Sequence, residues 1–172
     1  MPLTSNLKVS LSARQTTTND FGTPLFTPEL SAVLALGDGT TANNADLIFV
    51  DERTVASASN DDIDLAGVLA NALGGTITFV EIVAILVINR SKAGVANTTN
   101  LTIGGGTNPF VGFVGGTTPT IGPIRPGGVF FLASPADVGI GTVTAGTGDI
   151  LRIANSSGAA ATYQIAIIGR SA

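Results

Sequence analysis

The chain of 172 residues contains no cysteine, no histidine and no tryptophan, and only one tyrosine and one methionine. Without cysteine it has no disulfide, no thiolate nucleophile and no thiolate ligands for zinc or iron–sulfur clusters. Without histidine it lacks the usual general base near neutral pH, the Ser–His–Asp triad and imidazole metal ligands. These absences remove most of the residue types that enzymes use, so we expect no enzymatic activity and no cofactor.

Charged residues are also scarce, at 12% of the chain, against roughly 25% in an ordinary soluble domain. The eight Lys and Arg residues are scattered singly and the formal net charge is −4. We therefore expect neither nucleic acid nor an anionic membrane surface as a partner. The N-terminus lacks a signal-peptide profile, and the most apolar stretch, 76–89, is too short for a membrane helix.

Apolar residues are plentiful, at 44% of the chain, and they are accompanied by 22 glycines and 22 threonines. Threonine, valine and isoleucine favour strands, whereas glycine and asparagine favour turns. A neutral polar surface with few charges is typical of a protein partly buried against other chains, because charged residues are depleted from interface cores. The alternative is a monomer kept soluble by threonine, serine and asparagine.

Apolar and polar residues alternate with a period of two along most of the chain, which predicts an all-β protein. The predicted strands are 7–11, 30–36, 46–51 with an extension to 56, 76–89, 101–103, 110–114, 129–133, 149–154 and 162–168. The stretch 76–89 is β-branched on both faces, as is typical of a central strand covered on both sides. Prolines between 104 and 128 favour short edge strands and a long connection there.

One segment has a different period. Apolar residues at three- and four-residue spacings, with Asp64 as N-cap and Gly74 as a left-handed C-terminal residue, predict one short helix at residues 64–73. The acidic cluster Asn60–Asp64 precedes it. A calcium loop starting at Asp62 would lack the acidic residue at its twelfth position, so a polar turn is favoured over a cation site.

Several turn and strand motifs occur in the second half of the chain. They are Pro126-Gly-Gly before a strand that ends near Pro135, Gly146-Thr-Gly-Asp-Ile-Leu-Arg-Ile-Ala-Asn155, Tyr163–Gly169, and Asp64–Gly67 followed by Gly74–Phe79. Together they resemble small virion structural proteins of tailed bacteriophages, over roughly residues 46–169. The resemblance implies a capsid decoration (cement), head-fibre or tail-associated protein, and it names no functional residue.

The architecture that we expect is a single β-sandwich, jelly-roll-like, at residues 29–172, preceded by an N-terminal strand or arm at residues 1–28. The candidate contacts with the capsid or with other subunits are Phe110, Phe113 and Arg125, together with the arm. Ordinary core packing is the alternative interpretation of the two phenylalanines.

The function that we expect is that of a non-enzymatic decoration protein, made in the host cytoplasm and bound on the capsid exterior of the virion. It would bind across subunits of the major capsid protein and stabilise the assembled shell. We expect a homotrimer, since decoration sites often lie at three-fold positions. The alternatives are a head-fibre or tail-associated module that binds a receptor or glycan, and a tail-tube or head-completion subunit.

Overall fold

The computed structural model describes residues 2–67 and 69–172. Within them the regular elements are strands and no helix forms, which confirms the predicted all-β class. The strands of this part of the chain are β1 (Ser5–Ser12), β2 (Gln15–Thr16), β3 (Leu25–Phe26), β4 (Glu29–Leu36), β5 (Leu47–Val55), β6 (Asn60–Asp64), β7 (Leu69–Ala70), β8 (Thr76–Ile77), β9 (Glu81–Ile88), β10 (Leu101–Gly104), β11 (Thr120–Ile124), β12 (Val129–Ala133), β13 (Gly141–Thr142), β14 (Ile150–Asn155) and β15 (Ala161–Arg170).

A five-stranded sheet has the order β12-β9-β15-β5, with β13 added beside β9. β15 pairs antiparallel with β5 on one side and with β9 on the other. The alternation in β15 places one of its faces in the core, where Ala161, Tyr163, Ile165 and Ile167 are buried. In β9, all residues from Ile82 to Ile85 are buried, so this strand is covered on both faces there.

A four-stranded antiparallel sheet has the order β11-β10-β14-β6. In β14 the side chains of Leu151 and Ile153 are fully buried, and Ile150, Arg152 and Ala154, which alternate with them, are half-buried. β11 contains Pro123 and lies at the edge of the sheet, where the missing N–H of proline costs no ladder hydrogen bond. This agrees with the short edge strand predicted within 104–128.

The chain moves regularly between these two sheets. Counted in chain order as one to eight, the main strands are β5, β6, β9, β10, β11, β12, β14 and β15, and the sheet orders become 1-8-3-6 and 2-7-4-5. Successive strands therefore lie in different sheets, except for β10 and β11, which are neighbours in one sheet. Both sheets contribute buried side chains to one hydrophobic cluster, which includes Phe49, Ile165 and Val87 from the first and Ile63, Ile103 and Leu151 from the second.

The predicted helix at residues 64–73 is wrong. Asp64 does accept a hydrogen bond from the backbone N–H of Ala66 (3.1 Å), as an N-cap would. The backbone of Leu65, however, donates to Asp149 and accepts from Phe79, both at 2.8 Å, so it pairs with neighbouring chain segments instead of with the next helical turn. Gly74 has the predicted positive φ (83°), but in the turn between β7 and β8. Val68 lies outside the described residues.

Two predicted strands also differ from the structure. The stretch 110–114 is a turn, closed by a hydrogen bond from the backbone N–H of Val114 to the carbonyl of Val111 (3.1 Å). The stretch 76–89 is divided into β8 and β9. Between them Phe79 donates its backbone N–H to Leu65, and Val80 donates to Arg170, so the chain changes partners from one sheet to another.

Arg170, the last residue of β15, is completely buried. Its guanidinium donates to the carboxylate of Glu81 (2.7 Å) and to the backbone carbonyls of Asn44 (2.9 Å), Ala136 (2.9 Å) and Asp137 (2.5 Å). A buried charge is tolerated only when it is paired and hydrogen-bonded. Arg170 therefore holds together the start of β9, the connection that leads into β5 and the connection that follows β12.

The Arg170→Met variant should be severely destabilised, because the substitution leaves the Glu81 carboxylate and three carbonyls without their donor. We expect the free energy of unfolding to fall by about 3–5 kcal/mol, measured by urea denaturation. Arg125→Met is the matched control, because Arg125 is exposed, and it should change stability by less than about 0.5 kcal/mol. Similar losses in the two variants would contradict this account of Arg170.

Candidate contact surface

Residues 5–36 form one long antiparallel hairpin. From here on, the arm means this hairpin and no longer the predicted segment 1–28. β1 pairs with β4 over its whole length, and β2 pairs with β3 in the same register. Asn19 and Gly22 exchange backbone hydrogen bonds of 2.9 and 3.0 Å across the terminal turn. At about 3.4 Å per residue, the stretch from residue 5 to residue 19 is about 50 Å long. The predicted boundary after residue 28 falls inside this hairpin, because β4 belongs to the arm.

One face of the arm is apolar and the opposite face is largely polar. The apolar face, which we call the arm stripe, consists of Leu7, Val9, Leu11, Leu30, Ala32 and Leu34, and these residues pair with one another across β1 and β4. The opposite face carries Lys8 and Glu29 and the serines between them, and its exposed apolar residues are Leu25, Val33 and Ala35. The alternation noted in the sequence therefore makes the arm amphipathic.

The arm stripe is covered at its base and uncovered farther out. At the base, Leu7 and Leu34 pack against a small cluster that includes Leu36, which is 1% exposed, and Ile168 of the five-stranded sheet. Towards the tip, Leu11 is 56% and Leu30 is 65% exposed. A two-stranded hairpin is only marginally stable alone in water, so an uncovered apolar stripe of this kind suits an element that docks on another surface.

The outer face of the five-stranded sheet, which points away from the main core, is also apolar. One cross-strand row there is Val50, Ala166, Leu86 and Phe131, and Ile88 and Val129 lie side by side in the next row. We call these six residues the sheet patch. Val50 and Val129 are 55% and 59% exposed. An antiparallel sheet with one face in the core usually has polar residues on the other, so this patch also suits a contact surface.

The arm stripe and the sheet patch meet in an apolar groove of about 220 Å³. The groove lies where the arm leaves the sheet, and its walls include Val9 and Ala32 of the arm stripe, the neighbouring Val33 and Phe131 of the sheet patch. The two surfaces are therefore parts of one continuous apolar region.

The three contact residues predicted from the sequence have different environments. Phe110 is 2% exposed and belongs to the main core. Phe113 is half-buried, and its ring centroid lies 5.7 Å from that of Phe110 and 6.0 Å from that of Phe130. Arg125 is exposed in the turn between β11 and β12. Phe110 thus packs inside the domain, while a contact role for the half-buried Phe113 and for Arg125 stays a prediction.

A polar cluster links the two sheets at the side formed by β5 and β6. Arg53 donates two hydrogen bonds to the carboxylate of Asp61, at 2.6 and 2.7 Å, and one to Asp51 at 3.1 Å. The hydroxyl of the buried Tyr163 donates to Asp61 at 2.7 Å. The pairing of Arg53 with Asp61 is not recognisable from the sequence, since the bridge joins strands of different sheets and leaves no local motif.

Hydrogen bonding controls the protonation of this cluster. Burial alone would raise the pKa of Asp61, but the hydrogen bonds from Arg53 and Tyr163 outweigh it and hold that pKa below its usual range. Burial, reinforced by the bond to Asp61, raises the pKa of Tyr163. Asp61 is therefore ionised and Tyr163 is neutral at ordinary pH, which makes the cluster an ion pair that supports the fold.

The segment Asn60–Asp64, for which the sequence predicts a polar turn, forms β6. Because side chains alternate along a strand, Asp61 and Asp62 lie on opposite faces. Asp62 binds the guanidinium of Arg152 at 2.6 and 2.7 Å. Among residues 2–67 and 69–172, no group of three or more acidic side chains is placed to hold a metal ion. Over the same residues, no helix is long and apolar enough to cross a membrane.

Comparisons with known proteins add no relative: no family model, no curated protein and no solved structure matches this chain.

Asp61→Asn and Asp62→Asn form a matched pair of substitutions, since adjacent carboxylates each bind one arginine. The side chain of Asp61 is 13% exposed and that of Asp62 is 43% exposed. We expect Asp61→Asn to lower the free energy of unfolding by about 2–4 kcal/mol and Asp62→Asn by at most about 1 kcal/mol. Urea denaturation measures both, and equal losses would show that the bridge between the sheets contributes no more than a surface ion pair.

Acid should weaken the fold partly through Asp61. Its pKa is lower in the folded chain than in the unfolded one, so the unfolded state binds the proton more tightly. This stabilisation is complete above the unfolded pKa of about 4 and is lost as the pH falls through the folded pKa. Urea denaturation between pH 7 and pH 2 should show a shallower decline for Asp61→Asn than for the unsubstituted chain. Parallel curves would contradict this role of Asp61.

Proposed function

We propose that this chain is a non-enzymatic structural protein of a bacteriophage virion, most specifically a decoration protein on the capsid exterior. The observation that carries the proposal is the arm, about 50 Å long, whose apolar stripe projects from a small domain with its outer part uncovered. Such an element suits docking on an assembled surface. The motifs that resemble small virion proteins of tailed phages and the low content of charged residues, 12%, support the same role.

We also infer that the two sheets pack face to face as a β-sandwich with jelly-roll connections. With the eight main strands numbered in chain order, strand one pairs with strand eight, two with seven, three with six and four with five. These are the pairs of one long antiparallel ribbon rolled into two sheets. The bridge from Arg53 to Asp61 and the shared core support face-to-face packing. Jelly rolls occur in viral capsids and in lectins, so the architecture agrees with a virion role without specifying it.

The protein would stabilise the shell because it binds the assembled shell and not the separate subunits. A protein that bridges neighbouring subunits of the major capsid protein stabilises the assembled state by the free energy of its own binding. Apolar burial supplies that free energy at about 25 cal/mol per Å² removed from water, and the outer arm stripe provides suitable area. In this role the chain would act as a homo-oligomer with many copies in each particle.

Removal and addition of the protein test the role directly. Virions of the phage that encodes the chain should carry hundreds of copies each by gel densitometry, and virions that lack it should release DNA at a lower temperature. Adding back the purified full-length protein should restore heat resistance. A handful of copies per particle would favour a receptor-binding appendage, and unchanged heat resistance would refute the decoration role.

A further inference from the structure

The base of the arm shows what kind of surface the arm stripe fits. There, Leu7 and Leu34 pack against a buried cluster that includes Ala84 and Ile168 of the outer face of the chain's own five-stranded sheet, and Ala133 packs against the same cluster. These sheet residues form the row next to Val50, Ala166, Leu86 and Phe131 of the sheet patch. Within the chain, leucines of the hairpin thus contact apolar residues of the sheet at the base of the arm. Farther out along the arm, no such contact is made among the residues that the structure describes.

The arm does not cover the sheet patch of its own chain. Its outer residues Leu11 and Leu30 are more than half exposed, and so are Val50 and Val129 of the sheet patch. The chain therefore carries two uncovered apolar surfaces that are similar in chemistry to a pair already in contact within it. Because every copy carries both surfaces, a second copy can cover each of them.

Charge also favours this match. The arm stripe contains no charged residue, since Lys8 and Glu29 lie on the opposite face of the hairpin. The sheet patch is likewise uncharged, with Glu52 at its border on β5. Seating the arm on the patch would therefore bury no unpaired charge, which is the main cost that such a contact has to avoid.

The whole outer arm sets the largest area that the contact can bury. Two strands about 5 Å apart make the arm about 10 Å wide, and its outer part, from residue 9 to the terminal turn and including residues beyond the arm stripe, is about 35 Å long, so its footprint is at most about 350 Å². Each copy would give one arm and receive another, which brings the contact to at most about 700 Å² per copy, near the roughly 800 Å² of standard interfaces.

We propose that the arm of one copy lies on the sheet patch of a neighbouring copy, so that a closed homo-oligomer forms by exchange of arms. The contact joins two different surfaces, and such contacts leave no free end only when they close into a ring or a reciprocal pair. The inference concerns the purified protein by itself. It therefore stands or falls independently of the decoration role.

Single substitutions on the two faces of the arm test this contact in solution. Leu30→Ser alters the arm stripe, and Leu25→Ser alters a similarly exposed leucine (55% against 65%) on the opposite face of the hairpin. The unsubstituted protein should be an oligomer by light scattering at micromolar concentration. Leu30→Ser should weaken association by a factor on the order of 30 per contact, while Leu25→Ser should not. A monomeric unsubstituted protein, or equal association of the two variants, would overturn the proposal.

The absence of cysteine from the chain allows the contact to be located by disulfide formation. Full-length Leu30→Cys protein is mixed with Val129→Cys or Val50→Cys protein and oxidised, and crosslinked species are identified by mass spectrometry. Disulfides between arm and sheet patch are expected, and Leu25→Cys, on the opposite face of the hairpin, in place of Leu30→Cys should give far fewer. Disulfides only between two arms would overturn the proposal, as would arms that crosslink to a shell protein while the free protein stays monomeric.

Discussion

The guanidinium of Arg170 lies in the interior of the molecule, and its position constrains every segment around it. Each of its donors needs an acceptor, because an unpaired polar group in such a site costs several times the net value of one hydrogen bond. Glu81 and the carbonyls of Asn44, Ala136 and Asp137 meet this need. Arg170 therefore fixes the positions of the end of β15, the start of β9 and the connection from the arm relative to one another. The arm consequently leaves the domain at a defined place.

Three of the eight basic residues make ion pairs within the chain: Arg53, Arg152 and Arg170 each pair with a carboxylate through hydrogen bonds. Arg170 is completely buried, whereas the pair of Arg152 and Asp62 lies at the surface. The arm stripe and the sheet patch contain no charged residue. The ion pairs therefore link strands, while the two apolar surfaces stay free of charge.

Local periodicity predicted most strands well, because alternation of apolar and polar residues directly reports a strand with one buried face. The limits Val129–Ala133 of β12 were predicted without error. Interactions between distant residues were not predictable in the same way. Leu65 has the spacing of a helix but pairs with Asp149 and Phe79, and the bridge from Arg53 to Asp61 depends on sheet packing. The strands β1 and β4 were recognised singly, yet nothing in either stretch indicated that they pair with each other away from the core.

The register of the arm restricts how its length can vary. Partners in β1 and β4, in β2 and β3, and at Asn19 and Gly22 all belong to one uninterrupted register. Because side chains alternate between faces, one extra residue in a single strand would turn Leu11 or Leu30 towards the polar side. Only insertions or deletions that change both strands together, two residues at a time in each, preserve the apolar face. Related chains should therefore differ in arm length by such matched steps.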